Sequence, residues 1–212
     1  MRIPDRRAGG RLLARAVGRL DVADPVVVGL GPGGVAVGWE LARSLGCPLD
    51  MIDLTELDDG DALHPNRTFA AVSRDGHVLI RPGTMERSRR GAQVVRAAVS
   101  RARQAAAAFG QASAGRGPVP TSWRTVILVE DGTASREVVA AALDLVRAGR
   151  PGRVLLAVPT APQEIIEELG RLAGDVIVGS VAPWTEWFHW HGRIYDDDAR
   201  PSEEQIGELL HR

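Results

Sequence analysis

An α/β fold built on a parallel sheet with helices on both faces is what this sequence predicts. Short, continuous apolar runs such as Val26–Leu30, Thr125–Val129 and Val154–Pro159 read as buried strands. They alternate with stretches of helical period about 10–15 residues long. Polar loops carrying glycine or paired acids stand at the ends of two of the strands, where such sheets bind ligands.

The elements follow in order. Leu12, Leu13, Ala16, Val17 and Leu20 form one stripe of a helix over residues 8–20. After Pro25 the strand Val26–Leu30 runs into GLGPGG, and Val35–Leu45 is helical with Gly46 as its stop. Leu49–Leu54 reads as a second strand, and Thr55–Thr68, acidic and aperiodic, as a loop. Phe69–Ile80 carries a hairpin signal, with Asp75-Gly76 between AAVS and HVLI. Residues 87–109, rich in Ala and Arg, predict one long helix with a basic outer face, and about 110–122 a Gly/Pro/Ser linker. Strands at Thr125–Val129, Val154–Pro159 and Asp175–Val178 alternate with helices over 136–148 and 162–173. Ser202–His211 reads as a short capped helix.

The chain has 212 residues, 44% hydrophobic and 25% charged, the proportions of an ordinary globular protein. It is expected to form a single domain over 1–212, with a small hood from the N-terminus and from about 180–212. Lys+Arg 26 against Asp+Glu 27 leaves a formal charge of −1, so no global field favours nucleic acid or an anionic membrane. Every basic residue among the 26 is Arg, which excludes lysine chemistry such as a Schiff base or a Walker A loop. A single Cys47, placed at a helix end and expected to be buried, excludes an internal disulfide framework and a multi-cysteine zinc site. The sequence has no apolar run long enough to span a membrane and no apolar signal core at its start, so a cytoplasmic location is expected and the Asn66-Arg67-Thr68 sequon is coincidental.

Gly29, Gly31 and Gly34 satisfy G-x-G-x-x-G between a strand and a helix, and Asp53 stands 24 positions after Gly29 at the end of the next strand. From these residues alone three readings stay open: a dinucleotide fingerprint of an NAD(P) or FAD oxidoreductase, a phosphate loop of another α/β protein, or a structural turn. A preceding helix and the short chain weigh against the first.

Thr125–Val138 reads TVILVEDGTASREV. Four apolar residues deliver two adjacent carboxylates, Glu130 and Asp131, at a strand end. Vicinal ribose hydroxyls can donate to two such groups, and the small loop Gly132-Thr133-Ala134-Ser135, leading into a helix, offers N–H groups to the same sugar's phosphate. An acidic turn with Ser135 as N-cap is the plainer alternative.

This segment resembles the donor signature of type I phosphoribosyltransferases, and in particular bacterial phosphoribosyltransferase-domain proteins whose motif runs roughly VILVDDGIATGATM. Further matches lie along the chain: Asp5-Arg6, Ala8-Gly9 and Leu12-Leu13-Ala14; Val28–Val37; Pro48-Leu49-Asp50; Arg153–Pro162; and Tyr195-Asp196-Asp197 with Ser202-Glu203-Glu204. The resemblance implies a type I phosphoribosyltransferase-like fold. It implies transfer of a 5-phosphoribosyl group from phosphoribosyl diphosphate, with Mg²⁺, to a small-molecule acceptor. Glu130 and Asp131 would hold the ribose hydroxyls, Gly132 to Arg136 the 5′-phosphate, and Gly31, Pro32, Gly33 and Gly34 the leaving diphosphate. No side chain is assigned as a direct metal ligand.

The sequence departs from the family pattern at each of these places. Glu130 stands for an Asp, Arg136 for a loop glycine and Val138 for a Thr. Gly31-Pro32 replaces Pro-Arg. The family's Lys after the second strand is absent, and Glu56, Asp58, Asp59 and Asp61 make that region acidic. These departures support a second reading, a non-catalytic sensor or scaffold that binds a phosphorylated ribose or nucleotide.

Five of the nine aromatic residues fall between 184 and 195. Trp184, Trp187 and Trp190 could stack a flat acceptor ring; the alternative is packing within a hood or between two copies of the chain. His189 and His191 are expected on one face of a strand, and neither they nor His64 makes a metal or catalytic site by spacing.

Overall fold

A computed structural model describes residues 2–18, 20–58, 68–73, 78–80, 96–97, 99–101, 104, 119–134, 136–190 and 194–211. The order of elements is α1 (Arg6–Val17), β1 (Pro25–Leu30), α2 (Gly31–Leu45), β2 (Leu49–Ile52), β3 (Leu54–Asp58), β4 (Thr68–Ser73), β5 (Val78–Ile80), β6 (Thr125–Val129), α3 (Arg136–Ala148), β7 (Arg153–Ala161), α4 (Gln163–Ala173), β8 (Asp175–Val181), α5 (Trp184–Trp190) and α6 (Glu203–His211).

Five strands form one parallel sheet in the order β2-β1-β6-β7-β8. Its residues alternate strictly between two cores. Val27, Ile127, Val129, Leu155, Ala157 and Ile177 face the layer of α1, α2 and α6. Val26, Val28, Val126, Leu128, Leu156 and Val158 face α3 and α4. Both faces are covered, which explains why the strands read as unbroken apolar runs.

Glycine permits the closest approaches. A Cβ on Gly10 of α1 would lie 2.3 Å from the Val37 carbonyl oxygen of α2. The same crossing buries Glu40, which accepts from Arg7 at 3.0 Å and Arg43 at 2.9 Å. Burial alone would raise its pKa, but the hydrogen bonds from Arg43 and Arg7 outweigh it and hold the carboxyl below its ordinary value.

Three expectations change. Thr55–Asp58 belongs to strand β3 instead of a loop: it pairs antiparallel with β4, and β4 with β5, in a separate three-stranded sheet. The acidic composition masks a strand whose partner is the expected hairpin. Residues 184–190 are helix α5, so His189 does not sit on a strand. Cys47 is half-buried rather than enclosed, with desolvation pushing its thiol pKa up. The long helix at 87–109 is described only at 96–97, 99–101 and 104, all helical; the rest of it, most of the linker, and Asp59, Asp61, His64, Asn66, Arg67 and His191 lie outside the described residues.

The chain's two ends join above the sheet. Ile3 and Tyr195 form a parallel bridge, and Ile3 N–H donates to the Ile194 carbonyl at 2.9 Å. Helix α6 begins with a reciprocal cap, Gln205 N–H to Ser202 Oγ at 3.2 Å and Ser202 N–H to Gln205 Oε1 at 2.8 Å. Among the described residues, no helix is long and apolar enough to cross a membrane.

Candidate functional site

Strand β6 ends at Val129, and its ladder continues one residue further through Glu130 N–H to the Ala157 carbonyl at 3.0 Å. Glu130 and Asp131 are thereby fixed at the carboxyl edge of the central strand, each only 4% exposed. A buried carboxylate needs donors, and the two find them differently.

Glu130 turns onto its own loop. One carboxylate oxygen accepts from Gly132 N–H at 2.7 Å, the other from Thr133 and Ala134 N–H, both at 2.8 Å. Asp131 turns to the N-terminal helix: Oδ2 accepts from Arg6 Nε at 2.8 Å, and Oδ1 from the Thr133 hydroxyl at 2.7 Å. Burial, and next the charge of Asp131, push the Glu130 carboxyl up to about 8, against the pull of the loop N–H groups. Burial acts on Asp131 in the same sense, but the Thr133 hydroxyl and then the Arg6 guanidinium outweigh it, so its pKa is lowered. Adjacent acids are thus driven apart in protonation, Asp131 charged and Glu130 the group that holds a proton near neutrality.

Arg6 is the residue that sequence reasoning missed as part of the site. It is 4% exposed and also donates to Asp198 at 2.9 Å and to the Ala199 carbonyl at 3.2 Å. Its guanidinium lies 4.8 Å from the centre of the Tyr195 ring, whose hydroxyl donates to the Asp131 carbonyl at 2.7 Å. Asp5, the N-cap of α1, accepts from Ala8 N–H at 2.6 Å and so sets Arg6 in the helix's first turn. Asp5-Arg6 and Tyr195 stood in the matched motifs; no spacing links them to residue 131.

The first glycine motif has no loop. Strand β1 passes at Leu30 directly into α2 at Gly31, with Pro32 in its first turn. Gly31 has φ +63° and nothing within 4 Å of a built Cβ, so it serves the turn itself. A Cβ on Gly33 would meet Asp131 Oδ2 at 2.0 Å, and one on Gly34 the Val129 carbonyl oxygen at 2.4 Å. These two glycines let α2 lie against the acidic strand end. The α2 N-terminus and the Asp131 carboxylate therefore share one edge of the sheet.

Of the remaining expected site residues, Gly132 (φ +94°), Thr133 and Ala134 form the loop, and Ser135 lies outside the described residues. Arg136 opens α3 but points to α4, its Nε 2.8 Å from Glu168 Oε1. Val138 is buried in the core. Trp187 borders a cavity beside the loop, Trp184 is 46% exposed, and Trp190 is placed in α5 without a described side chain. Among the described residues, no group of three or more His, Cys, Asp or Glu could hold a metal ion.

No protein-family model matches the chain. Two Mycobacterium tuberculosis proteins, from strains CDC 1551 and H37Rv, both named "putative phosphoribosyl transferase", are 32% identical over 98% of this chain and 46% of their own length. The chain thus spans about half the length of the curated relatives it matches. The crystal structure of TT1426 from Thermus thermophilus is similar over 99% of this chain and 98% of that one, at 31% identity and a TM-score of 0.79. The fold is of the parallel-sheet, type I phosphoribosyltransferase-like class. Over nearly its whole length, then, the chain is similar to proteins named putative phosphoribosyl transferase and to the TT1426 structure.

Proposed function

We propose that this domain transfers a 5-phosphoribosyl group from phosphoribosyl diphosphate to a small-molecule nucleophile, releasing diphosphate. The single observation that carries this reading is the Glu130–Asp131 pair at the carboxyl end of β6, held between Arg6 and the loop N–H groups. In this reading Asp131, kept ionised, accepts a ribose hydroxyl and stabilises the positive charge that grows on the sugar ring as the diphosphate leaves. Carboxylate oxygens have lone pairs beyond those used by Arg6 and Thr133. The loop N–H groups that Glu130 now occupies turn to the 5′-phosphate, and Glu130 accepts the neighbouring hydroxyl. The α2 N-terminus at Gly31–Gly34 receives the diphosphate through backbone N–H groups. Lysine is absent, so the anion relies on these dipoles and on local arginines.

Mg²⁺, which the family resemblance implies, does not fit as a protein-held ion. In this reading the lone pairs left on both carboxylates go to the ribose hydroxyls, and no group of three or more His, Cys, Asp or Glu able to hold a metal ion is found among the described residues. A cation would have to arrive on the donor's own oxygens.

One observation favours a second reading, a sensor that binds a phosphorylated ribose without transfer. Arg136 is paired with Glu168 and Glu130 fills the loop, so a ligand must displace internal contacts before it is held. The dinucleotide reading loses ground, because the strand order is not that of a two-halved dinucleotide fold.

Calorimetric titration with phosphoribosyl diphosphate and Mg²⁺, beside NAD(P) and FAD, tests the proposal. Donor binding that weakens in Asp131→Asn is expected. Unchanged affinity in that variant overturns the ribose assignment, and NAD or FAD binding without donor binding overturns the whole reading. Donor binding with no turnover across a panel of acceptors selects the sensor.

A further inference from the structure

The central strands β1, β6 and β7 are each entered through a non-glycine residue with a left-handed backbone: Asp24 (φ 42°), Trp123 (φ 65°) and Arg150 (φ 53°). Among the described residues no other non-glycine residue has a positive φ. Asp tolerates this conformation, but a bulky side chain takes it rarely and at a cost. Trp123 holds the third position of a turn that Arg124 N–H closes onto the Thr121 carbonyl at 3.2 Å. Glycine or asparagine is the usual residue there when φ is positive.

The strained turn is also held still. Trp123 N–H donates to the Arg150 carbonyl at 3.0 Å, and the Ser122 hydroxyl to the Gly149 carbonyl at 3.0 Å. A Cβ on Gly152 would lie 2.6 Å from the Trp123 carbonyl oxygen, so the two segments touch along their backbones. Yet the indole on this turn is outside the core. Trp123 is 85% exposed, against 59% for Val181, the next most exposed large apolar residue among those described. A rigid, strained backbone that displays a large aromatic ring to water has the character of an interface anchor, because a preorganised side chain loses little freedom on docking.

The neighbours of Trp123 specify what docks there. The strand order β1-β6-β7 sets Asp24, Trp123 and Arg150 in a row across the amino-terminal edge of the sheet. On one side Asp24 pairs with Arg124 at 2.7 Å while its side chain stays 68% exposed. On the other stands the exposed Arg150. Beyond it, Arg153 and Asp175 are paired with each other at 2.9 Å and add no net charge. The row therefore reads acid, indole, base. A two-fold axis crossing the row at Trp123, in the plane of contact, sets Asp24 of each copy against Arg150 of the other and brings the two indoles together. A patch that is its own charge complement fits a second copy of the same chain.

We propose that this edge of the sheet is a self-association surface, anchored by Trp123 and set in register by Asp24 and Arg150. It lies at the opposite end of the strands from Glu130 and Asp131, so it is independent of the transfer reading and leaves the candidate site open.

Sedimentation velocity on the full chain tests it, with a reversible dimer expected to form between about 1 and 200 µM. Trp123→Gly is expected to weaken the dimer at least about ten-fold. Glycine suits the left-handed turn, so the Tm of the dilute monomer is expected not to fall in that variant. Arg150→Asp sets like charges across the axis and is expected to weaken the dimer at least about ten-fold as well. Asp24→Arg does the same from the other side. An equimolar mixture of these two charge variants is expected to regain the dimer, since every acid then meets a base. Circular dichroism reports whether each variant folds; if Asp24→Arg does not, having lost the Arg124 pair, the other two variants decide. A wild-type chain that stays monomeric at the highest concentration overturns the proposal. So does a dimer that Trp123→Gly or Arg150→Asp leaves intact, or a mixture of folded charge variants that stays monomeric.

Discussion

Arg6 and Asp131 are 125 residues apart in the chain and 2.8 Å apart in the fold, and both are almost wholly buried. One sits in the first turn of α1, the other just past β6, and the Tyr195 ring lies against the guanidinium. The first helix, the central strand end and the C-terminal segment therefore converge on one carboxylate. Its charge state and aim are set by elements from three parts of the sequence.

Removing Arg6 should be costly. Arg6→Ala leaves Asp131 buried with a hydroxyl and a backbone N–H but without its cation, and breaking one side of a buried pair costs about 3–5 kcal/mol. Arg6→Lys keeps the charge and loses the planar fork that also reaches Asp198 and Ala199, so a smaller loss is expected. Urea denaturation measures both. Equal loss in the two variants would mean that charge plays no part.

The acidic groups predict opposite pH dependences. Glu130 rises from its ordinary 4.5 to about 8 on folding, so between those values the native state holds a proton that the unfolded chain has released. Its contribution to stability is greatest below that window and falls as pH rises through it. Asp131 and Glu40, both lowered, contribute above their ordinary values and lose that contribution as pH falls through their folded ones. Glu130→Gln should therefore flatten the decline in Tm between about pH 5 and 8 by a few degrees, leaving the acid limb intact. Thermal scans across that range check it, and an unchanged slope would assign the decline to other groups.

Much of this architecture was legible in local pattern. Thr125–Val129 and residues 136–148 have the bounds the sequence predicts, because unbroken apolar runs and helical periodicity are local signals. The position of the acidic pair was legible too, since a run of apolar residues leads straight into it and puts both carboxylates at a strand end. What composition hid is long-range. Strand β3 reads as an acidic loop because its partner β4 lies across a segment of intervening chain. Arg6 looks like one basic residue among 26 until the fold brings it to Asp131. The glycines of α2 allow a phosphate, dinucleotide or turn reading; that Gly33 and Gly34 are also pressed against Asp131 and Val129 is a packing need that no spacing reveals.

Gly33 and Gly31 separate the packing need from the turn. Gly33→Ala puts a methyl group 2.0 Å from the Asp131 carboxylate and must push it off Arg6, so a loss of about 2–4 kcal/mol together with weaker donor binding is expected. Gly31→Ala meets no atom and costs only the left-handed backbone, about 1–2 kcal/mol. Equilibrium denaturation beside donor titration distinguishes them. A Gly33 variant as mild as the Gly31 variant would show that the Asp131 side chain moves freely.

Tyr195→Phe isolates the last contact. The hydroxyl is buried, its pKa raised first by desolvation and then by the Asp131 and Glu130 charges, so it stays a donor at every working pH. It holds the Asp131 carbonyl at 2.7 Å while its ring covers Arg6, and the phenylalanine keeps the ring and deletes only the bond. A loss of about 1–3 kcal/mol follows from leaving a buried carbonyl unpaired. Because the loop from Asp131 to Ala134 hangs from that carbonyl, donor affinity should fall as well, while the Arg6–Asp131 pair persists. If Tyr195→Phe lowers stability yet leaves donor affinity untouched, the C-terminal segment clasps the fold without positioning the loop.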